Sequence, residues 1–319
     1  MWGDIIIAFL LAFITAYVIT PYTMRLAKKV GAIDMPSDRR INKRPMPRLG
    51  GIAVISGFVV SVIYLLTSMV IEGGFGLMEH VTEIIGFFCG IAVLGVVCFI
   101  DDCKDIHPLL KLLAQTISAI IVVACGINIE NMDSPVINNI IQAHPWFSYI
   151  LTVFWIVGIT NAINLIDGLD GLCGGICSIF FLTIGIIGFF QGRCGSLVMI
   201  LTFIMLGATF GFLLDYFYPA KIFCGDCAMF LGFIIAVITL LEFKGPALTS
   251  LFVPIMILGI PILDTLFAII RRLLKHQPPF APDKDHIHHQ LLGLYFSHCA
   301  SVLIVYLINI LFALTSIFY

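Results

Sequence analysis

The stretch "IIGFFCGIAVLGVVCFI" (84–100), followed directly by "DDCKDIHPLLK" (101–111), decides the fold class. Residues 84–100 carry no charged side chain, and their length is close to the roughly 18 apolar residues that predict a transmembrane helix. The acidic pair Asp101 and Asp102 follows at once, so the apolar segment ends in a polar turn. This pattern indicates a helix that crosses a bilayer and ends at its surface.

Apolar segments of similar length recur along the whole chain. Of its 319 residues, 60% are hydrophobic and 11% are charged, whereas a soluble domain has roughly 25% charged residues. We therefore predict an all-α, polytopic integral membrane protein, with residues 1–319 forming a single domain. The ten predicted spans lie at about 4–20, 50–71, 84–100, 109–127, 146–163, 172–190, 196–214, 228–242, 247–270 and 299–318.

Lysine and arginine fall almost entirely on one side of this predicted topology. The loop 21–49 and alternate loops after it contain 15 of the 17 basic residues, and Arg193 and Lys244 fall on the other side. Because basic loops remain in the cytoplasm, this pattern predicts a cytoplasmic basic side and two extracytoplasmic termini. The chain has no basic tail, and we predict no nucleic-acid partner.

Polar side chains with catalytic or ligand-binding chemistry collect in the predicted cytoplasmic loops, whereas the external loops are short and contain few such side chains. We predict that these loops build one composite site, with solvated connections as the alternative. The five polar stretches are "SDRRINKRPMPRLGG" (37–51), "DDCKDIHPLLK" (101–111), "NAINLIDGLDGL" (161–172), "YPAKIFCGDC" (218–227) and "PPFAPDKDHIHHQL" (278–291).

Asp101 and Asp102 stand where two carboxylates are electrostatically unfavourable. They end a helix, and the C-terminal end of a helix dipole favours cations. Pro108 predicts the start of the next helix, which places Lys111 in its first turn. The arrangement suits a phosphate beside a proton acceptor, and a simple ion-pair cluster is the alternative.

In "NAINLIDGLDGL" the polar residues Asn161, Asn164, Asp167 and Asp170 recur at every third position. On a helix or a 3₁₀ turn this spacing places neighbouring side chains along one stripe. Amide and carboxylate oxygens are ligands that Mg²⁺ prefers. The stripe therefore predicts a hard-cation site at the membrane edge, with a polar helix cap as the alternative.

Cys224 and Cys227 form a Cys-x-x-Cys pair, which raises the alternative of a zinc site completed by histidines. His288 and His289 are adjacent, however, and cannot both face one point on a regular element. The sequence contains no second Cys-x-x-Cys. Imidazoles beside phosphate and sugar groups, with the basic Lys284 nearby, therefore fit the histidines better than a zinc site.

Six stretches together carry a family resemblance over residues 20–295. They are "RPMPRLGG" (44–51), "DDCKDIHPLLKLLAQ" (101–115), "NAINLIDGLDGL" (161–172), "YPAKIFCGD" (218–226), "PILDTLFAIIRR" (261–272) and "PDKDHIHHQL" (282–291). With these stretches in this order, the chain resembles the polyprenyl-phosphate N-acetylhexosamine-1-phosphate transferases, the family that includes MraY, WecA and TagO. The "PxPRxGG" and "HIHH" variants are more similar to the TagO and WecA branch.

The resemblance implies transfer of N-acetylglucosamine-1-phosphate from UDP-N-acetylglucosamine to undecaprenyl phosphate, with release of UMP. It implies Mg²⁺ as the cofactor, with Mn²⁺ as a substitute, and a multi-pass protein of the bacterial plasma membrane whose active site faces the cytoplasm. Its partners are then the two substrates, the bilayer and a second copy in a homodimer. The product starts a cell-envelope glycan such as teichoic acid or O-antigen.

The resemblance also implies roles for thirteen side chains, all on the predicted cytoplasmic side. They are Asp101 and Asp102 for catalysis, Asn164 and Asp226 for Mg²⁺, Asp170 and Phe223 for uridine, Lys43, Arg48 and Lys111 for phosphates, and Asp167, His286, His288 and His289 beside the sugar and its phosphate. Asp101 either orients or deprotonates the lipid phosphate, and a covalent aspartyl-phosphate route is the alternative.

The chain departs from the family pattern after Asp226, where Cys227-Ala228-Met229 replace the usual Thr-Gly-Ser. Lys284 also stands where related proteins tend to have arginine. Three alternatives remain from the sequence: an MraY-like phospho-MurNAc-pentapeptide transferase, a secondary transporter with Asp264 near the membrane midplane, and a structural membrane scaffold.

Overall fold

The protein is described by a computed structural model that covers residues 2–36, 44–71, 81–129, 135–193, 196–242, 252–277 and 286–318. The described residues form thirteen helices and one short antiparallel strand pair. The helices are α1 (Trp2–Val30), α2 (Gly50–Ile71), α3 (Val81–Lys104), α4 (Pro108–Ala124), α5 (Pro135–Ala143), α6 (Pro145–Leu165), α7 (Leu172–Phe190), α8 (Leu197–Tyr216), α9 (Ala228–Glu242), α10 (Phe252–Ile257), α11 (Gly259–Leu274), α12 (Ile287–Gly293) and α13 (His298–Phe318). The strands are β1 (Ile33–Asp34) and β2 (Met46–Pro47).

Eight helices in the described part of the chain are long and apolar enough to cross a membrane: α1, α2, α3, α6, α7, α8, α13, and α9 together with the turn before it. Helix α4 is also apolar but has 17 residues. The predicted span at 247–270 begins outside the described residues, and its described part is divided at Leu258 into α10 and α11. The all-α, polytopic membrane fold is confirmed, while the number of ten spans and the position of the termini remain predictions.

Helix α9 occupies the centre of the bundle. Every residue from 228 to 240 is buried, as expected for a helix that is apolar on all sides. Helix α6 packs closely against it at Gly232, where a Cβ atom would lie 2.8 Å from the Cα of Thr160. Small residues allow membrane helices to approach in this way. The packing fixes the start of α9, and therefore Asp226, relative to the end of α6.

Two loops are joined by backbone hydrogen bonds beside the start of α9. The N–H of Phe223 donates to the carbonyl of Pro47 at 2.8 Å, and the N–H of Gly50 donates to the carbonyl of Phe223 at 3.0 Å. A third bond joins the N–H of Gly51 to the carbonyl of Cys224 at 3.1 Å. Because both loops satisfy their backbone groups through each other, the segment before α2 is held against the segment before α9.

Candidate active site

A cavity of about 730 Å³ lies on the side of the bundle where these loops meet. Its walls come from the β1–β2 segment, the turn between α6 and α7, the loop between α8 and α9, and the starts of α12 and α13. The lining residues are Asp34, Arg44, Met46, Arg48, Asn164, Asp167, Gly168, Leu169, Asp170, Tyr216, Tyr218, Pro219, Ala220, Phe223, Gly225, Asp226, His289 and His298.

Asp226 lies at the meeting point of two predicted phosphate-binding cations. Its Oδ1 atom accepts a hydrogen bond from Lys111 Nζ at 3.2 Å, and its Oδ2 atom lies 3.5 Å from Arg48 Nη2. The Asp226 side chain is buried, and only 7% of the residue surface is exposed. The fold thus brings together three residues that the sequence places in three separate motifs.

Arg48 is surrounded by carboxylates. Its Nη1 atom lies 3.1 Å from Asp105, and its Nε atom lies 3.6 Å from Asp102 and 3.9 Å from Asp34. Burial alone lowers the pKa of Arg48, but the negative charges of Asp102, Asp226 and Asp105 outweigh this effect and raise it above its usual value. Arg48 therefore stays charged and binds the loops of the site together.

The two acidic residues at the end of α3 have different surroundings. Asp101 is fully buried, accepts a hydrogen bond from the N–H of Ile106 at 2.7 Å, and forms an ion pair with Lys111. Asp102 Oδ1 accepts a hydrogen bond from the N–H of Asp226 at 3.0 Å. Asp102 Oδ2 is buried and has no hydrogen-bond partner within the described residues. Asp101 thus orients Lys111, whereas Asp102 keeps one oxygen without a partner.

Gly225 makes the approach of Asp226 to α3 geometrically feasible. Its φ of +74° lies in the left-handed region, where glycine carries no steric penalty. A Cβ atom here would overlap the carbonyl oxygen of Arg48 and lie 2.5 Å from Asp102 Oδ1. The chain therefore needs glycine at position 225 both for the turn and for the close contact with its neighbours.

Three members of the predicted oxygen stripe line the cavity: Asn164, Asp167 and Asp170. Helix α6 ends at Leu165, so Asn164 belongs to its last turn and the two aspartates lie in the connection to α7. Burial raises the pKa of Asp167 to about 7, partly opposed by a hydrogen bond from Tyr216. The fourth member of the stripe, Asn161, points to α4 instead.

Asp170 lies at an aromatic end of the cavity. Its Oδ2 atom accepts a hydrogen bond from the N–H of Ala220 at 3.0 Å, and its own N–H donates to His298 Nε2 at 3.3 Å. The His298 ring stacks on Tyr218 with 4.6 Å between centroids, and Phe223 lines the same cavity. Tyr218 begins the polar stretch 218–227, which the sequence analysis predicts to be part of the site. No local pattern marks His298, because it is the first residue of an apolar helix.

The three histidines of the "HIHH" stretch point to different places. His286 Nδ1 lies 2.8 Å from Asp264 Oδ2, and Asp264 Oδ1 accepts a hydrogen bond from the N–H of Ile287 at 2.9 Å. His288 is buried against Gly168, where a Cβ atom would overlap its ring. His289 lines the cavity. Of the three predicted sugar-side histidines, His289 is thus the one at the cavity wall, and the other two hold the loop in place.

His288 is held in its neutral form. Burial, followed by the nearby imidazoles of His289 and His286, lowers its pKa to about 3. Asp264, which the transporter alternative placed near the membrane midplane, connects α11 to the start of α12 through His286. The contact of His288 with Gly168 and the contact of His286 with Asp264 fix the position of α12 over the turn between α6 and α7.

The remaining sequence-predicted residues are placed as follows. Lys43 lies outside the described residues. Cys224 and Cys227 are buried, and Cys227 packs against Gly51, where no Cβ atom would fit. Burial, together with the charge of Asp167, raises the pKa of Cys224 well above its usual value, so its thiol is not activated.

The donor chemistry of the cavity fits Mg²⁺. Among the described residues, Asn164 and Asp226 line it with an amide and a carboxylate oxygen. In that part of the chain, no three His, Cys, Asp or Glu side chains form a metal cluster by themselves. Mg²⁺ does not require such a cluster, because it is usually held by one or two carboxylates together with water and substrate phosphates.

Comparison with known proteins agrees with this picture. The profile of glycosyl transferase family 4 matches residues 84–242. A probable undecaprenyl-phosphate N-acetylglucosaminyl 1-phosphate transferase of Bacillus subtilis (strain 168) is 42% identical over 316 residues, which cover 98% of this chain and 84% of the relative.

Two further relatives are more distant. The decaprenyl-phosphate N-acetylglucosaminephosphotransferase of Mycobacterium tuberculosis (strain H37Rv) is 32% identical, over 93% of this chain and 77% of the relative. The undecaprenyl-phosphate alpha-N-acetylglucosaminyl 1-phosphate transferase of Escherichia coli (strain K12) is 29% identical, over 86% of this chain and 73% of the relative. By this similarity along nearly its whole length, the chain belongs to glycosyl transferase family 4, in the group of the polyprenyl-phosphate N-acetylglucosamine-1-phosphate transferases.

Proposed function

We propose that this protein transfers N-acetylglucosamine-1-phosphate from UDP-N-acetylglucosamine to undecaprenyl phosphate. The observation that carries the proposal is the contact of Asp226 with both Lys111 and Arg48 at a cavity wall. Phosphoryl transfer depends mainly on positioning and on neutralising charge, and this cluster supplies both. The names of the three relatives contain the same sugar phosphate and a polyprenyl phosphate.

In the reaction, an oxygen of the lipid phosphate attacks the β-phosphorus of the UDP-sugar. A new P–O bond forms there, while the bond from that phosphorus to the bridging oxygen breaks. The electron pair of the broken bond leaves with UMP, and the lipid carries a diphospho-sugar. Lys111 and Arg48 bind phosphate oxygens and offset the charge that collects on them.

The nucleotide occupies the aromatic end of the cavity in this proposal. Phe223 stacks on the uracil ring, and Asp170 accepts a hydrogen bond from it. The sugar and its phosphate then lie towards Asp167 and His289. The support for this orientation is that all four side chains line one cavity, with Asp226 at its wall.

Asp101 and Asp102 act on the lipid phosphate. Asp101 is engaged by Lys111 and by the N–H of Ile106, so its main effect is to hold that lysine. Asp102 forms no ion pair with Lys111 and keeps one buried oxygen free of hydrogen bonds among the described residues, so Asp102 is the proposed proton acceptor. The requirement for a base is modest, because a phosphate monoester loses its second proton with a pKa of about 6.

Mg²⁺ is the proposed cofactor, with Asn164 and Asp226 as its protein ligands and Mn²⁺ as a substitute. When bound, the metal ion neutralises diphosphate oxygens and so stabilises the charge on the departing UMP. Lys111 and Arg48 occupy the same carboxylate of Asp226. They place positive charge beside both of its oxygens and orient it in the absence of the metal.

We further propose that the site faces the cytoplasm from the bacterial plasma membrane, because most basic residues lie in the loops of that side. A site at the membrane edge can take one substrate from the lipid and the other from water. The product then starts a cell-envelope glycan, and a homodimer is the proposed assembly.

The test is UMP release by purified protein in detergent, with undecaprenyl phosphate, Mg²⁺ and one UDP-sugar at a time. We expect turnover with UDP-N-acetylglucosamine, and none when the lipid phosphate is left out. Turnover with UDP-MurNAc-pentapeptide instead would assign the protein to the MraY-like reaction. Release of UMP that does not depend on the lipid, or no release by folded protein, would overturn the proposal.

A further inference from the structure

Below the candidate site, two amide side chains form a closed hydrogen-bonded pair between α4 and α6. Gln115 is buried, with 1% of its surface exposed. Asn161 Nδ2 donates to Gln115 Oε1 at 2.6 Å, and Gln115 Nε2 donates back to Asn161 Oδ1 at 3.4 Å. The pair joins two helices that contribute different residues to the site.

The remaining hydrogens of the two amides also have acceptors. The second hydrogen of Gln115 Nε2 points to Met229 Sδ, 3.0 Å away, and Asn161 Nδ2 also donates to the carbonyl of Val157 at 2.8 Å. A rotated amide of Gln115 would turn its oxygen towards the sulfur and lose the bond from Asn161. The network is therefore satisfied in one arrangement, which is the condition under which a buried polar network specifies a unique geometry.

The pair and Met229 each lie three or four residues from one residue of the site. Gln115 lies four residues after Lys111 on α4, Asn161 lies three residues before Asn164 on α6, and Met229 lies three residues after Asp226. Residues three and four apart share one face of a helix. Gln115 and Asn161 thus lie about 4.5–6 Å deeper in the bundle than Lys111 and Asn164, at 1.5 Å of rise per residue. Met229 follows Asp226 through the 3₁₀ turn before α9.

We propose that Gln115 is a positioning residue, which sets the distance between Lys111, Asn164 and Asp226 through its bonds to Asn161 and Met229. The inference rests on the proposed function, because it concerns the side chains assigned there to phosphate and metal. It also gives Met229 a role at the position where the family pattern has serine. Amide pairs between helices hold their geometry well in the low-dielectric interior of a membrane protein.

The experiment compares wild-type protein with two double variants. Gln115→Leu with Asn161→Leu removes both amides, so no polar group is left without a partner and the fold is preserved. Gln115→Asn with Asn161→Gln exchanges the residues and keeps the amide pair at the same total length. Thr116→Val is the matched control, because Thr116 on the same helix donates only within α4, to the carbonyl of Leu112 at 2.8 Å.

At saturating substrates we expect the double leucine variant to lose about 10- to 100-fold in kcat, the effect of misplacing reacting groups by about 1 Å. Its thermal midpoint in detergent stays near the wild-type value, and the KM for UDP-N-acetylglucosamine changes less than kcat. The exchanged pair recovers most of the lost kcat, and Thr116→Val retains the wild-type rate. A double leucine variant with the wild-type kcat, or an exchanged pair no more active than it, would overturn the proposal.

A second readout separates this inference from the proposed reaction. Thermal-shift titrations with UDP report diphosphate binding without turnover, and we expect weaker binding in the double leucine variant with recovery in the exchanged pair. If UDP binding follows this order in the three proteins but the wild type shows no turnover, the proposed function fails and the positioning role stands. If wild-type protein turns over while neither kcat nor UDP binding follows the series, the positioning role fails alone.

Discussion

Lys111 Nζ lies 3.2 Å from Asp226 Oδ1, which joins the first turn of α4 to the turn before α9 across 115 positions of sequence. Asp101 holds the same lysine from the end of α3. One ammonium group therefore connects three helix ends at the site. In a partly buried position such a contact fixes the orientation of Asp226.

Replacement of Asp226 by asparagine is expected to lower kcat at least about 100-fold, because it removes the negative charge that holds Lys111 and Arg48 and that the proposed Mg²⁺ requires. Asparagine retains the size of the side chain and the N–H that donates to Asp102. UMP release measures the effect. The double variant Cys224→Ala with Cys227→Ala is the comparison, and we expect it to stay active. If this variant is inactive and wild-type protein contains zinc, the assignment of the chemistry to the Asp226 carboxylate is wrong.

Gly225→Ala is expected to destabilise the protein by more than about 1 kcal/mol, the minimum cost of a left-handed conformation for alanine. Its Cβ atom would also meet Asp102 and the carbonyl of Arg48, so activity falls too. The thermal midpoint in detergent and UMP release measure both effects. Gly95→Ala is the matched control, because a Cβ atom at this position of α3 has open space. An equal loss of stability and activity in both variants would show that position 225 has no particular need for glycine.

Thermal stability is expected to depend on pH through Asp167. Burial raises its folded pKa to about 7, whereas an unfolded aspartate has a pKa of about 3.9. Between these values the folded protein keeps a proton that the unfolded chain has lost. Its contribution to the free energy of unfolding therefore falls as the pH rises from about 4 to about 7, and it is level above that range.

The measurement is the thermal midpoint of wild-type and Asp167→Asn protein over this pH range. Asparagine cannot ionise, so the difference between the two proteins changes with pH below about 7 and becomes constant above it. A difference that is the same at every pH would show that Asp167 titrates at the same pKa in the folded and unfolded chain.

Removal of the Asp264 carboxylate is expected to lower kcat/KM by releasing α12. Asp264→Ala loses both the contact with His286 and the bond from the N–H of Ile287, whereas Asp264→Asn retains one acceptor oxygen. We therefore expect the asparagine variant to lie between wild type and the alanine variant in UMP release. Equal activity of all three proteins would show that the loop needs no anchor at this position.

Chelation of divalent metal by EDTA is expected to abolish turnover, and added Mg²⁺ is expected to restore it. Asn164→Ala should then require a higher Mg²⁺ concentration for half-maximal rate, because one of two proposed protein ligands is lost. Ser178→Ala, on α7 with its hydroxyl bonded to Gly174 and Thr209, should retain the wild-type requirement. Turnover that persists in EDTA would remove the metal from the proposed function.

Some of the architecture was misjudged from hydropathy alone. Helix α1 continues to Val30, beyond the predicted end at 20, because a helix can extend past the bilayer while the apolar pattern marks only its membrane part. The division between α10 and α11 at Leu258 and the short helix α5 were not predicted. The division at Leu258 lies within an apolar stretch that hydropathy does not divide, and α5 is a nine-residue helix between two predicted spans.

The sequence by itself determined the membrane-spanning helices, since a long apolar segment has no other stable conformation in a bilayer than a hydrogen-bonded helix. It also identified the polar loops and, through the resemblance, the family, which the comparisons confirm. Only the tertiary structure decided which polar atoms meet: Lys111 with Asp226, His286 with Asp264, and Gln115 with Asn161. Hydropathy and residue spacing report local geometry, whereas these contacts depend on how helices distant in sequence pack around α9.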